Sequence, residues 1–168
     1  MNFEKEVDKL YGLPPEQFTG ARDALAKKLR GEGERALSTR AKELRKPTAA
    51  ASVVNQLARS ERMNIRALLT AGERLRSAQA KLLRGGRPDA VHKAAADERK
   101  AIEALVAAAR RDGAGEATLR RVEETLRAAA RDEEAAGLLR RGRLTHELQP
   151  VGFGFTPEQL RPRKRSNK

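Results

Sequence analysis

A corner between two predicted helices, KELRKPTAAASVVNQL at residues 42–57, holds the residues best suited to bind an anion. Arg45 and Lys46 precede a proline, and the chain then becomes small and uncharged. Because Lys46 is a poor N-cap, we expect the N–H groups of Thr48 and Ala49 to lack side-chain acceptors. A phosphate or carboxylate would satisfy them beside two cations. The alternative is a purely structural helix corner, in which the cations serve the end of the preceding helix.

A polar strip follows on the helix that starts at this corner. Thr48, Ser52, Asn55 and Arg59 fall on the face opposite the apolar residues. The strip is predicted to be either an exposed contact site or a surface packed against another helix. We assign Arg59 to the candidate nucleic-acid surface.

The last eight residues, RPRKRSNK, form a polybasic segment. Such segments bind polyanions largely by releasing counterions, without choosing a sequence. We therefore predict phosphate contacts from Arg161, Arg163, Lys164 and Arg165. The alternative is a tail that only increases solubility.

The stretch VGFGF at residues 151–155 is the most apolar part outside the predicted helices. Phe153 and Phe155 either dock into a partner or pack on the aromatic N-terminal region of the same chain. Burial of one phenylalanine is worth roughly 1.5 to 3 kcal/mol in either case.

Several kinds of chemistry lack the residues that they require. The chain has no cysteine, so it has no disulfide, thiolate metal site or cysteine nucleophile. His92 and His146 have no metal-ligand spacing and no neighbouring candidate nucleophile. The acidic groups alternate with arginines at helical spacings, which is typical of solvated ion pairs. We expect no enzymatic activity, no cofactor and no metal.

Charge points to polyanionic partners. There are 36 Lys and Arg against 23 Asp and Glu, a net charge of +13. A positive field of this size attracts nucleic acids and acidic proteins. No stretch approaches the roughly 18 apolar residues of a membrane span, and the start of the chain does not resemble a signal peptide. We expect a cytoplasmic protein without a membrane partner.

The fold class predicted from composition and periodicity is all-α. Short helices are expected at 1–60, packed on an elongated antiparallel three-helix bundle at 61–142. An extended segment with a basic tail follows at 143–168. Alanine, leucine and charged residues favour helices, while β-branched residues are scarce.

The first long helix has a seam, spaced alternately by three and four residues, that ends at two glycines. Gly72 and Gln79 leave this seam underfilled, which a partner helix could correct. The third long helix is predicted to continue as far as Ala136. The seam residues are Ile65, Leu68, Gly72, Leu75, Gln79 and Leu82.

Three stretches carry a resemblance: LYGLPPEQFTGARDALAKKLR, LRKPTAAASVVNQLAR and GRLTHELQPVGFGF. With these landmarks the chain resembles a family of all-helical hypothetical proteins from high-GC bacteria. The resemblance spans most of the chain and implies a helical fold, but no activity.

Two functions follow from these features. The first is a non-enzymatic protein that associates with DNA or structured RNA through Arg and Lys contacts to phosphates. Because no helix-turn-helix pattern is present, sequence-specific reading is not expected. The second is a protein-interaction or scaffold module whose seam pairs with an acidic or helical partner, or with another copy of the chain.

Overall fold

The computed structural model describes residues 1–149, and all regular structure in this range is helical. The predicted all-α class is therefore confirmed. Residues 142–149 at the end of this range are not helical. The helices are α1 (Phe3–Tyr11), α2 (Pro15–Gly31), α3 (Arg35–Glu43), α4 (Ala49–Ser60), α5 (Arg62–Leu83), α6 (Asp89–Arg111), α7 (Glu116–Arg131) and α8 (Glu133–Arg141).

Helices α1 to α3 share one apolar cluster, in which Phe18 and Leu29 are almost fully buried. The rings of Tyr11 and Phe18 lie 5.1 Å apart at a tilted angle, within the range of a favourable aromatic pair. The hydroxyl of Ser38 donates to the carbonyl of Ala26 at 2.8 Å and joins α3 to α2.

Helix α4 belongs to a second cluster, together with the later helices and the chain after α8. Val54 and Leu57 of α4 are buried with Leu105, Leu126 and Leu139. The two clusters divide between residues 44 and 50, whereas the regions predicted from sequence divide at residue 60. The apolar side of α4 thus packs with the long helices.

Helices α5 and α6 form the most extensive helix pair. They have 22 and 23 residues, and the short connection at 84–88 makes them antiparallel. Gly85 adopts a positive φ of 88° at the turn, a conformation that glycine accepts without strain. The predicted stop at the two glycines agrees with the end of α5 at Leu83.

The third long helix ends earlier than predicted, because Asp132 interrupts it. Asp132 has an extended backbone, with φ −132° and ψ 130°, and its Oδ2 accepts a hydrogen bond from the Ala135 N–H at 2.8 Å. This N-cap starts a separate helix, α8. An aspartate that precedes two glutamates was the signal in the sequence for this break.

At Gly72, helix α5 lies in close contact with the backbone of α7. A Cβ at Gly72 would overlap the backbone carbonyl of Ala130. The prediction that Gly72 leaves the seam underfilled is wrong, because the backbone of α7 occupies that space.

Candidate anion-binding cleft

At the helix corner predicted as an anion site, the amide and the hydroxyl of Thr48 are engaged within the protein. Thr48 is the N-cap of α4, and its Oγ1 accepts from the Ala51 N–H at 3.2 Å. The Thr48 N–H itself donates to the carbonyl of Thr145 at 3.0 Å. The prediction that this amide lacks an acceptor is wrong.

The backbone around the corner is also held by other helices. The Tyr11 hydroxyl donates to the carbonyl of Arg45 at 3.2 Å, and Arg22 donates to the carbonyl of Leu44 at 3.1 Å. The Lys46 and Ala49 side chains are exposed on its outside. These contacts support the structural interpretation of the corner.

The polar strip of α4 packs against a non-helical segment, residues 142–148. Asn55 is fully buried. Its Nδ2 donates to the Leu144 carbonyl at 2.9 Å, and its Oδ1 accepts from the Leu144 N–H at 2.8 Å. The strip is therefore not an exposed contact site: Thr48, Asn55 and Arg59 contact this segment, and Arg59 also binds helix α1. The Ser52 hydroxyl, also buried, has no hydrogen-bond partner among the described residues.

Arg59, which the sequence assigned to phosphate contacts, binds three backbone carbonyls. It donates to Asn55 at 2.8 Å, to Gly142 at 2.9 Å and to Asp8 at 2.8 Å. Burial lowers the pKa of its guanidinium, although Asp8 opposes this effect. Gly142 has a positive φ of 61°, and a side chain there would strike Arg59. Arg59 therefore joins α1, α4 and the chain after α8.

Arg143 fastens the same chain to α1. It lies 2.7 Å from a carboxylate oxygen of Glu4 and 2.7 Å from one of Asp8. Burial disfavours its charged form, but the hydrogen bonds to Glu4 and Asp8 prevail and raise the pKa of Arg143.

Arg59 and Arg143 hold the end of α8 beside the start of α5. A cleft of about 610 Å³ lies between these two helix ends. We call it the arginine cleft. Its apolar floor includes Ile65 and Leu69, and two carboxylates, Asp8 and Glu73, also line it. Six arginines line the cleft: Arg59, Arg62, Arg66, Arg140, Arg141 and Arg143.

Four of these arginines are available to a ligand. Arg62 and Arg66 lie one turn apart on α5, while Arg140 and Arg141 end α8. All four are exposed, and within residues 1–149 none has a carboxylate oxygen within 4.0 Å. Guanidinium groups present paired N–H donors that match phosphate oxygens. The cleft is therefore suited to bind phosphate groups.

Sequence reasoning missed this site because its arginines are far apart in the chain. The motifs ERMNIR and LLRRGR look like ordinary charged helix faces. Phe153, Phe155, Arg161, Arg163, Lys164 and Arg165 lie outside the described residues, so their predicted roles stay predictions.

The described residues contain neither a candidate metal site nor a helix that could span a membrane. Within residues 1–149, no three His, Asp or Glu side chains lie close enough together to hold a metal ion. His92 and His146 are both exposed. None of the helices in this range combines the length and the apolar character needed to cross a membrane.

The three sequence landmarks meet around Arg59. Gly12, from the first landmark, lies against the Arg59 side chain, and Gly142 begins the third. Comparison of the chain with protein-family models, with curated proteins and with solved structures found no match. The resemblance to helical hypothetical proteins thus stays a prediction.

Proposed function

We propose that this protein associates with nucleic acid, without enzymatic activity, through phosphate contacts in the arginine cleft. The observation that supports it is the convergence of Arg62, Arg66, Arg140 and Arg141, four exposed arginines with no carboxylate oxygen within 4.0 Å among the described residues. Like charges brought together on a folded surface repel one another. A polyanion would relieve that repulsion.

Two further features favour a polyanion over a small anion. The cleft is open and its four available arginines are distributed over two helices, so it matches several phosphates better than one. The net charge of +13 adds an attraction that acts before contact is made.

A protein-interaction module is the second candidate. The sequence suggested that a partner helix could fill the seam at Gly72, but α7 fills that position. The observation that favours it now is Leu83, which is 90% exposed at the end of α5. A concentration-dependent mass in light scattering that Leu83→Ser abolishes would support this candidate, and an unchanged monomeric mass would oppose it.

Nucleic-acid binding is tested by fluorescence anisotropy with a labelled DNA duplex and a labelled RNA hairpin over a series of salt concentrations. The variant Arg140→Gln/Arg141→Gln should bind more weakly, and the slope of log K against log salt should fall by about two, because each phosphate contact contributes about 0.9. Circular dichroism should be unchanged, since both residues are exposed.

Two double variants serve as controls with the same change in charge. Arg110→Gln/Arg111→Gln lies at the end of α6, outside the cleft, and Arg45→Gln/Lys46→Gln lies at the helix corner. Both should lose less affinity than the cleft variant. Equal losses in all three would show diffuse electrostatics and overturn the proposal, and a larger loss at Arg45 and Lys46 would move the site to the corner.

A further inference from the structure

A second groove lies on the other side of α5, between α5 and α6, with a volume of about 490 Å³. Its basic residues include Arg74 and Lys100, and its acidic residue is Asp97. Arg66 and Thr70 line both this groove and the arginine cleft.

Because the two grooves share these residues, the part of α5 from residue 62 to residue 74 is a ridge between them. Arg66 is exposed, Thr70 is half-buried, and Ala67 is exposed beside them. Within residues 1–149, no other helix covers this outward face, whereas the inward face with Leu68 is fully buried. The ridge is a single helix with a depression along each side.

We propose that the ridge of α5 enters the major groove of double-stranded DNA, with one phosphate backbone in the arginine cleft and the other in the second groove. This inference rests on the proposed function and names its ligand. The major groove of B-DNA is about 12 Å wide and admits one α-helix, which is about 10 to 12 Å across with its side chains.

Cations lie on both sides of the ridge, although Glu73 lines the cleft and Asp97 lines the second groove. Arg140 and Arg141 lie across the cleft on one side of the ridge, and Arg74 and Lys100 lie along the groove on the other. Each phosphate backbone of the DNA would therefore lie beside at least two cations. Arg66 at the crest is the residue type that contacts guanine most often in the major groove.

Other nucleic acids fit the same surface less well. The major groove of A-form RNA is deep and narrow, so a helix cannot enter it. Single strands bind mainly by stacking their bases on aromatic side chains, and residues 19–152 contain no aromatic residue. Double-stranded DNA is the ligand that this surface favours.

The first test compares three labelled probes at one salt concentration by anisotropy: a DNA duplex, an RNA duplex of the same sequence, and the single DNA strand. The full chain should bind the DNA duplex on the order of tenfold more tightly than either of the others. Equal affinity for duplex DNA and duplex RNA would overturn the inference.

The second test uses two substitutions with the same chemistry on α5. Ala67 lines the second groove on the ridge, while Ala80 lies further along the helix, outside both grooves, and both are exposed. Ala67→Glu should weaken binding to duplex DNA on the order of tenfold, whereas Ala80→Glu should change it by less than about twofold. Equal losses would mean that the ridge does not enter the DNA.

The outcomes separate this inference from the proposed function. Loss of affinity in the Arg140/Arg141 variant with no preference for duplex DNA would leave the proposed function standing and refute the ridge geometry. No binding of any of the three probes near physiological salt would refute both.

Discussion

The arginines of this protein perform two physically different tasks. Arg59 and Arg143 are engaged by carbonyls and carboxylates within the fold, so their donors are occupied. Arg140 and Arg141 are exposed and have no such partner among the described residues. The second pair is therefore the one that we propose contacts a ligand, while the first pair positions the backbone around it.

Asn55 is the residue that holds the segment after α8 most specifically. Its amide presents one acceptor and one donor, so it satisfies both the N–H and the carbonyl of Leu144 as a neighbouring strand would. No apolar residue of similar size can do this.

Asn55→Ala should lower the free energy of unfolding by about 2 to 4 kcal/mol, because it leaves two buried backbone groups unsatisfied. Urea denaturation followed by circular dichroism measures the loss. Gln56→Ala on the same helix, whose side chain makes no hydrogen bond within residues 1–149, should change stability by less than about 0.5 kcal/mol. Similar losses for both variants would contradict the contact with Leu144.

At the scale of elements, the close approach of α5 and α7 depends on one glycine. Alanine normally stabilises a helix interior relative to glycine by about 1 kcal/mol. At Gly72 the added methyl would meet the Ala130 carbonyl, which belongs to the backbone and cannot move aside without displacing α7.

Gly72→Ala should therefore lower the melting temperature, with a loss of about 1 to 3 kcal/mol from overpacking. Gly20→Ala is the matched control, because Gly20 lies within α2 and a Cβ there meets nothing within 4 Å. It should raise the melting temperature through helix propensity. Shifts of the same sign for both variants would refute the close approach.

At the scale of the whole molecule, folded surface and basic tail are predicted to act together on a polyanion. In the proposed function the cleft would supply directed guanidinium contacts, and the basic residues of 161–168 would add positive charge.

Deletion of residues 161–168 should leave the helical signal and the melting temperature unchanged. It should reduce nucleic-acid affinity and the steepness of its salt dependence, because several phosphate contacts are removed. The control is a full-length chain in which serine replaces Arg161, Arg163, Lys164 and Arg165. This variant should lose as much nucleic-acid affinity as the deletion variant. If both bind as tightly as the intact chain, the tail only increases solubility.

The sequence alone determined the features that depend on neighbouring residues. Helical class, the end of α5 before two glycines, and the non-helical backbone at residues 142–149 follow from propensity, periodicity and capping, which act within a few residues. Asp132 is a local signal of the same kind, and its effect was missed because the apolar spacing continued past it.

Only the tertiary structure decided what the polar residues do. Asn55 binds Leu144, and Arg62 lines the same cleft as Arg141. In both cases the two residues are far apart in the sequence. These contacts depend on which helix faces bury their apolar surfaces against each other. Packing between residues far apart in the sequence determines this. In the sequence, a buried asparagine and an exposed arginine are both polar positions on amphipathic helices. They become distinct only in the packed structure.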